Sequence, residues 1–305
     1  MILSASRRTD IPDYYPGWLA RRFQEGYLCV RNPMNPRQVS RISLSPDVID
    51  CIVFWTKNPL PMFRYLDRFE KYPYYFQFTL TGYGREIEPG LPDKRSVLIP
   101  AFQELSGKIG SDRMIWRYDP IFLSGRYTLE YHEKAFSEIA GSLSGCTNRV
   151  VISFLDEYEK TRRNMRGTGQ ISLTEELIRA AAARFAAAAR RYGMEIVTCA
   201  EKIDLSDYGI EHGACIDKEY IERLLGCRLR GRKDPGQRRE CGCMESVETG
   251  TYHTCRNGCR YCYANDSPGR VRENVLKYDE SSPLLCGCLQ DRDIITERKM
   301  KSLKI

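Results

Sequence analysis

From Met1 to about Cys227 the chain alternates short apolar runs with amphipathic segments. The runs Ile2–Ala5, Cys51–Trp55, Tyr75–Leu80, Arg113–Arg117, Arg149–Phe154 and Glu195–Cys199 are short and rich in β-branched and aromatic residues, which predicts strands. Helical patterns lie between them. Trp18 to Phe23 belongs to one. Asn58-Pro59 opens another, with Asn as N-cap and Pro in the first turn. Thr128 starts a third, carrying Leu129, Ala135, Phe136, Ile139 and Leu143. The clearest runs from Leu177 to Tyr192, rich in Ala and stopped by Gly193. A further short strand ending at Ile216 precedes a helix through Leu225.

Strands alternating with helices predict parallel βαβ units and an α/β fold. Six or seven units suit a full or partial (β/α) TIM-like barrel. A doubly wound open sheet competes, but no Gly-rich phosphate loop follows the first strand. The pattern changes after Cys227. Six basic residues lie between Arg228 and Arg239, then come a cysteine-rich stretch and a charged tail, Asp291 to Ile305. The expected division is a barrel-like domain over 1–227 and a cysteine-rich cap with tail over 228–305, since that second part has too few aliphatic residues for its own core.

Bulk properties narrow the compartment. The 305 residues are 42% hydrophobic, enough to bury a sizeable core. No run of about 18 apolar residues occurs, so no membrane span is expected. The start, Met1-Ile-Leu-Ser-Ala-Ser-Arg-Arg, lacks a charged segment leading into an apolar one, so a cytoplasmic protein is expected. The net charge of +7 permits a phosphate-bearing partner without demanding one. The basic stretch reads more simply as a solvated loop than as a nucleic-acid track.

Most of the thirteen cysteines fall after residue 198. In a reducing compartment, clustered thiols more often bind metal than form disulfides. Cys255-x3-Cys259-x2-Cys262 places three thiols within eight residues. Three thiolates at this spacing can hold a 4Fe-4S cluster and leave its fourth iron open to a small molecule. Structural zinc competes, with Cys241-x-Cys243 supplying further ligands. A second set, Cys199, Cys215, Cys241 and Cys243, would converge at the barrel mouth on a fully ligated second 4Fe-4S cluster or on Zn, against a reading of scattered buried thiols. Rim positions after the strands are polar. Arg7, Arg8, Asp10, Lys57, Arg117, Asp119 and Glu201 would grip an anionic or zwitterionic ligand, with loop ion pairs as the plain alternative. His132, on a predicted helix, reads as a surface or half-buried residue, and His253 as a neighbour of the cysteine loop. No catalytic residue is assigned.

The cysteine motif, with Tyr261 and Tyr263 around Cys262 and the ending Tyr-Cys-Tyr-Ala-Asn, resembles that of radical S-adenosylmethionine (SAM) enzymes, in the branch containing spore photoproduct lyase. That resemblance implies SAM chelated at the open iron and cleaved by one electron to a 5′-deoxyadenosyl radical that takes hydrogen from a substrate. It also implies a reductant such as ferredoxin or flavodoxin. The substrate, a small molecule or a nucleic acid, is left undetermined. In such enzymes the loop follows the first strand; here it follows the barrel, so the cap must fold back over the rim. The whole chain resembles an uncharacterised bacterial family known as domain of unknown function eighteen-forty-eight. Ser4 to Pro12, Val53 to Pro59, Phe76 to Tyr83, Ile115 to Pro120 and Gly250 to Cys255 carry this resemblance, which brings no reaction with it. The competing function is a zinc- or cluster-stapled barrel protein that binds nucleic acid or another anion without radical chemistry.

Overall fold

The computed structural model of the protein describes residues 1–156 and 159–305. Eight strands form one parallel sheet: β1 (Ile2–Ala5), β2 (Cys51–Thr56), β3 (Tyr74–Thr79), β4 (Met114–Ile121), β5 (Arg149–Phe154), β6 (Glu195–Cys199), β7 (Glu211–Gly213) and β8 (Val247–Glu248). Their order is β7-β6-β5-β4-β3-β2-β1-β8. It follows the chain without reversal and sets the last strand beside the first, through Leu3↔Val247 and Ser4↔Glu248. The division expected at residue 227 therefore does not interrupt the sheet. The six long strands lie where the sequence predicts them, within a residue or two at most ends and with β4 running on to Ile121.

Strand side chains alternate between two faces. Leu3, Ile52, Phe54, Phe76, Phe78, Trp116, Val150, Ile152 and Ile196 point to a large core shared with the helices. Phe54 stacks on Phe76 at 4.8 Å, and Phe136 on Phe185 at 4.7 Å, so aromatic pairs bind strands and helices together. The helices begin on the caps their sequences offer. Thr128 accepts a hydrogen bond from Tyr131 N at the start of Leu129–Ser142, and Thr174 does so from Leu177 N at Glu175–Arg191.

The other face is layered. Toward the strand N-termini it carries Ile2, Cys51, Val53, Tyr75, Ile115, Val151 and Val197, which pack into a second core with Cys215, Ile216 and Met244. Two residues further along five of these strands the same face turns polar, with Ser4, Gln77, Arg117, Ser153 and Cys199, while β2 carries Trp55. The Tyr75 hydroxyl and Gln77 Nε2 both donate to the carbonyl of Cys215 at 2.8 Å. Met244 N donates to Ile216 O at 3.0 Å, linking the chain just before β8 to the chain just after β7.

Three features depart from the sequence reading. Tyr27–Arg31 and Gln38–Ser43 form an antiparallel pair, and Ile294–Glu297 adds to it in parallel. The charged stretch after Asp291 is thus paired, with Leu303 N donating to Asp50 at 2.8 Å. His132 is fully buried on the core side of its helix, where Nε2 donates to Phe122 O and Nδ1 accepts from the Tyr118 hydroxyl. Burial lowers its pKa to about 4, keeping it neutral.

Candidate metal and ligand site

Arg117, Ser153 and Cys199 of the layered face open into one cavity of about 1160 Å3. Its lining includes Cys255, Cys259 and Cys262, the four thiols Cys199, Cys215, Cys241 and Cys243, and the rim residues Arg7, Arg8, Asp10, Lys57, Arg117 and Asp119. Glu201 alone among the expected rim residues lies elsewhere. It borders an adjoining cavity of about 330 Å3 and accepts from Phe154 N at 2.7 Å. Its carboxyl is pushed up to about 7, chiefly by burial.

The cysteine loop reaches this cavity because it follows β8, which neighbours β1. Residues after β1 hold it. Asp10 Oδ2 accepts from Asn257 Nδ2 at 3.1 Å and from Lys57 N at 2.7 Å. Thr9 donates to Thr251 O at 2.8 Å and meets the Thr254 hydroxyl. Tyr14 and Tyr15 donate to Asn257 Oδ1 and Thr254 O at 2.8 and 2.7 Å. Burial pushes the Asp10 carboxyl up to about 6 against these donors.

A buried carboxylate completes the seat. Glu88, 1% exposed, lies in the segment after β3. Its Oε1 accepts from Lys57 Nζ at 2.8 Å and from the Tyr261 hydroxyl; its Oε2 accepts from Lys94 Nζ and from Thr81 Oγ1, the latter at 2.9 Å. Lys57 Nζ also donates to Tyr261 at 2.8 Å. Burial opposes the charged carboxylate, but the two ammonium groups hold its pKa down at about 2. Nothing in the sequence spacing singled out Glu88 or Lys94. Backbone contact adds to the seat: Gly90 N donates to Asn257 O at 2.9 Å, and Arg260 N to Ile87 O at 2.9 Å. A Cβ on Gly90 would meet Asn257 O at 2.7 Å, so only glycine fits this approach.

The three loop thiols fit an iron–sulfur cluster by donor chemistry. Cys255 and Cys259 are buried and Cys262 half-buried, all from one loop facing an open cavity. Burial pushes the Cys259 thiol up to about 12, with Lys57 pulling against it. A bound metal centre is what would hold it as thiolate. His253 spans the base of the loop: its Nδ1 accepts from Asp266 N at 3.0 Å and its Nε2 faces Asp266 Oδ2 at 3.3 Å.

The second thiol set is also gathered. Cys199 Sγ and Cys215 Sγ stand 2.7 Å apart, and Cys243 Sγ accepts from Ile216 N at 3.4 Å. Arg117 Nη1 donates to Cys215 Sγ at 2.9 Å while its other nitrogens clasp Asp119 at 3.0 and 2.5 Å. Among the described residues no group of three or more His, Cys, Asp and Glu side chains is placed as a metal-holding set. The basic stretch joins the wall: Asp234, Gly236, Gln237 and Arg238 line the cavity, and Arg238 pairs with Asp156.

No curated protein matches this chain. Among solved structures, a candidate alpha-L-fucosidase of Bacteroides thetaiotaomicron is similar at 15% identity and a TM-score of 0.26, over 58% of this chain and 71% of that one. So slight a likeness carries no argument about fold or function. Residues 2–264 match the family described as a domain of unknown function (DUF1848), and the chain belongs to that family.

Proposed function

We propose that the protein is a radical SAM-type enzyme, with a 4Fe-4S cluster on Cys255, Cys259 and Cys262. One observation carries the reading: three thiols of a single loop face a large, cation-rimmed cavity at the C-terminal ends of parallel strands. When bound, such a cluster supplies the electron that cleaves SAM reductively. The protein's own residues do the rest. Asp10 and Glu88 hold the loop from two sides and keep the three sulfurs aimed into the cavity. Arg8, stacked over Tyr252 at 4.5 Å, has no carboxylate partner among the described residues and is available to an anionic group of SAM or substrate. Lys57 is committed to Glu88 and Tyr261, so it positions the loop instead of binding ligand. The loop's late place in the chain does not count against the reading, because β8 is hydrogen-bonded to β1.

We also infer that the sheet closes into a barrel with the segment after residue 227 folded over its mouth. The strand order, the Met244–Ile216 hydrogen bond and the contacts of Tyr75 and Gln77 with Cys215 support closure. A cytoplasmic setting with ferredoxin or flavodoxin as reductant belongs to the same reading. Among the described residues no helix is long and apolar enough to cross a membrane.

The test is anaerobic purification, iron and sulfide analysis, and EPR of the reduced protein with and without SAM. A cubane signal that changes with SAM and disappears in Cys259→Ala is expected. A cluster indifferent to SAM, or no iron at all, overturns the proposal and leaves a metal-stapled protein that binds an anion or nucleic acid without radical chemistry.

A further inference from the structure

We infer that Cys199, Cys215, Cys241 and Cys243 together hold one zinc ion, which staples the two edges of the eight-stranded sheet. The inference does not rest on the radical chemistry proposed above.

The four thiols come from three places. Cys199 ends β6, Cys215 lies two residues past β7, and Cys241 and Cys243 precede β8. β7 and β8 are the two edges of the sheet. The thiols therefore bridge the one position in the strand order where no ladder joins neighbours. Only two links cross there by backbone and thiol: Met244 N to Ile216 O at 3.0 Å, and Ile216 N to Cys243 Sγ at 3.4 Å, among the described residues.

The sulfurs behave as acceptors. Arg117 Nη1–H points at Cys215 Sγ and the Ile216 N–H at Cys243 Sγ. Donors aimed at sulfur are what a metal-bound thiolate has and a buried neutral thiol does not need. Charge agrees. Four thiolates and a divalent ion leave a net charge of −2. Two guanidinium groups stand beside them: Arg7 and Arg117 each lie 5.3 Å from the Trp55 ring centroid. Arg117 is 5% exposed. Arg7 Nη2 is buried with no hydrogen-bond partner among the described residues. Arg117 is balanced by Asp119, but the unanswered buried donor of Arg7 leaves one guanidinium to meet an anion here.

The packing selects a single ion. Cys199 Sγ and Cys215 Sγ already stand 2.7 Å apart, and Cys241 and Cys243 line the same cavity. A tetrahedral tetrathiolate zinc sets sulfur–sulfur edges of about 3.8 Å, from Zn–S distances of about 2.3 Å. A cubane keeps its ligands much farther apart. Sulfurs already in contact need only a small spreading to take zinc.

The test starts from the triple variant Cys255→Ala/Cys259→Ala/Cys262→Ala, purified without oxygen, which isolates the second set. About one zinc per chain without acid-labile sulfide is expected, and adding Cys215→Ser and Cys243→Ser should remove it. In case the latter protein does not fold, cobalt(II) loading of the triple variant gives a second readout, the intense visible bands of a tetrahedral sulfur-rich site. Absence of zinc, iron with sulfide in its place, a cobalt spectrum without thiolate bands, or a Cys199–Cys215 disulfide by mass spectrometry each overturns the inference. Loss of the SAM-dependent EPR change in the wild-type protein would instead strike the proposal of the preceding section and leave this one standing.

Discussion

The two thiol sets reach the same cavity by opposite routes. Cys255, Cys259 and Cys262 come from eight consecutive residues, and the surrounding protein works to aim one loop. Cys199, Cys215, Cys241 and Cys243 come from three segments, two of which flank the edge strands β7 and β8. The first set is a local arrangement held by charge. The second is a tertiary arrangement held by packing. Charge-held loops move when one ion is removed; packed seams give way only when the fold does.

Glu88→Ala should break the comparison most severely. It leaves Lys57 and Lys94 buried beside each other with no counter-charge, a loss of about 3–5 kcal/mol. Glu88→Gln should cost less, because it keeps an acceptor. Denaturant unfolding of the anaerobic protein measures both. A Glu88→Ala protein within about 1 kcal/mol of wild type would show that the ion pairs of Glu88 do not hold the loop.

Acid should act on the same side. His132 sits against Tyr83, which packs in one cluster with Cys259 and Tyr261. Its folded pKa of about 4 lies below the unfolded value of 6.5. The unfolded chain therefore binds the proton first, and stability falls as pH drops from about 6.5 to about 4, by roughly 3 kcal/mol in all. His132→Gln should flatten the pH profile in that window. Loop thiols should become exposed there, as read with a disulfide reagent that works in acid, before Cys215 and Cys243 do; simultaneous exposure would erase the distinction between the sets.

Gly90→Ala sharpens the contrast with a smaller effect. The new methyl meets the Asn257 backbone, so about 1–3 kcal/mol is expected, with faster labelling of Cys259 by a thiol reagent. Gly107→Ala is the control. Nothing lies within 4 Å of its added Cβ, and it sits inside the helix Ile99–Ile109, so a gain of about 0.5–1 kcal/mol is expected in thermal or urea unfolding. Equal behaviour of the two variants would mean that close backbone approach does not position the loop.

Legibility followed the range of each interaction. The six long strands and the main helices were readable because their periodicity and caps are local: Thr128 and Gly193 mark boundaries by their own chemistry. The loop thiols were readable for the same reason. β8 was not, because two residues carry no period, and its partner is nearly the whole chain away. The pair Tyr27–Arg31 and Gln38–Ser43 was hidden by a connecting stretch with Pro33 and Pro36 that reads only as loop. Glu88 was hidden because a carboxylate among other charged residues looks solvated until Lys57, Lys94 and Tyr261 arrive from three other segments. Arg7, Arg8, Asp10 and Lys57 were found by their place after strands, while Arg117 and Asp119, read as following a strand, lie inside β4. Glu201 has the same kind of place, yet its side chain turns to the adjoining cavity, and direction is not written in position.

The tie between β1 and the loop after β8 also sets a time. Asp10 meets Asn257 across 247 residues of sequence, and Thr9 meets Thr254 across 245. A ribosome must have released some 250 residues before either bond can close, while the first strands and their helices are already free to collapse. Chain growth at about 5–20 residues per second makes that an interval of roughly 10–50 seconds. Throughout it the nascent protein has a rim but no seated cysteine loop. On the reading proposed above, loading of a cluster must wait until the residues after β8 have emerged and met β1.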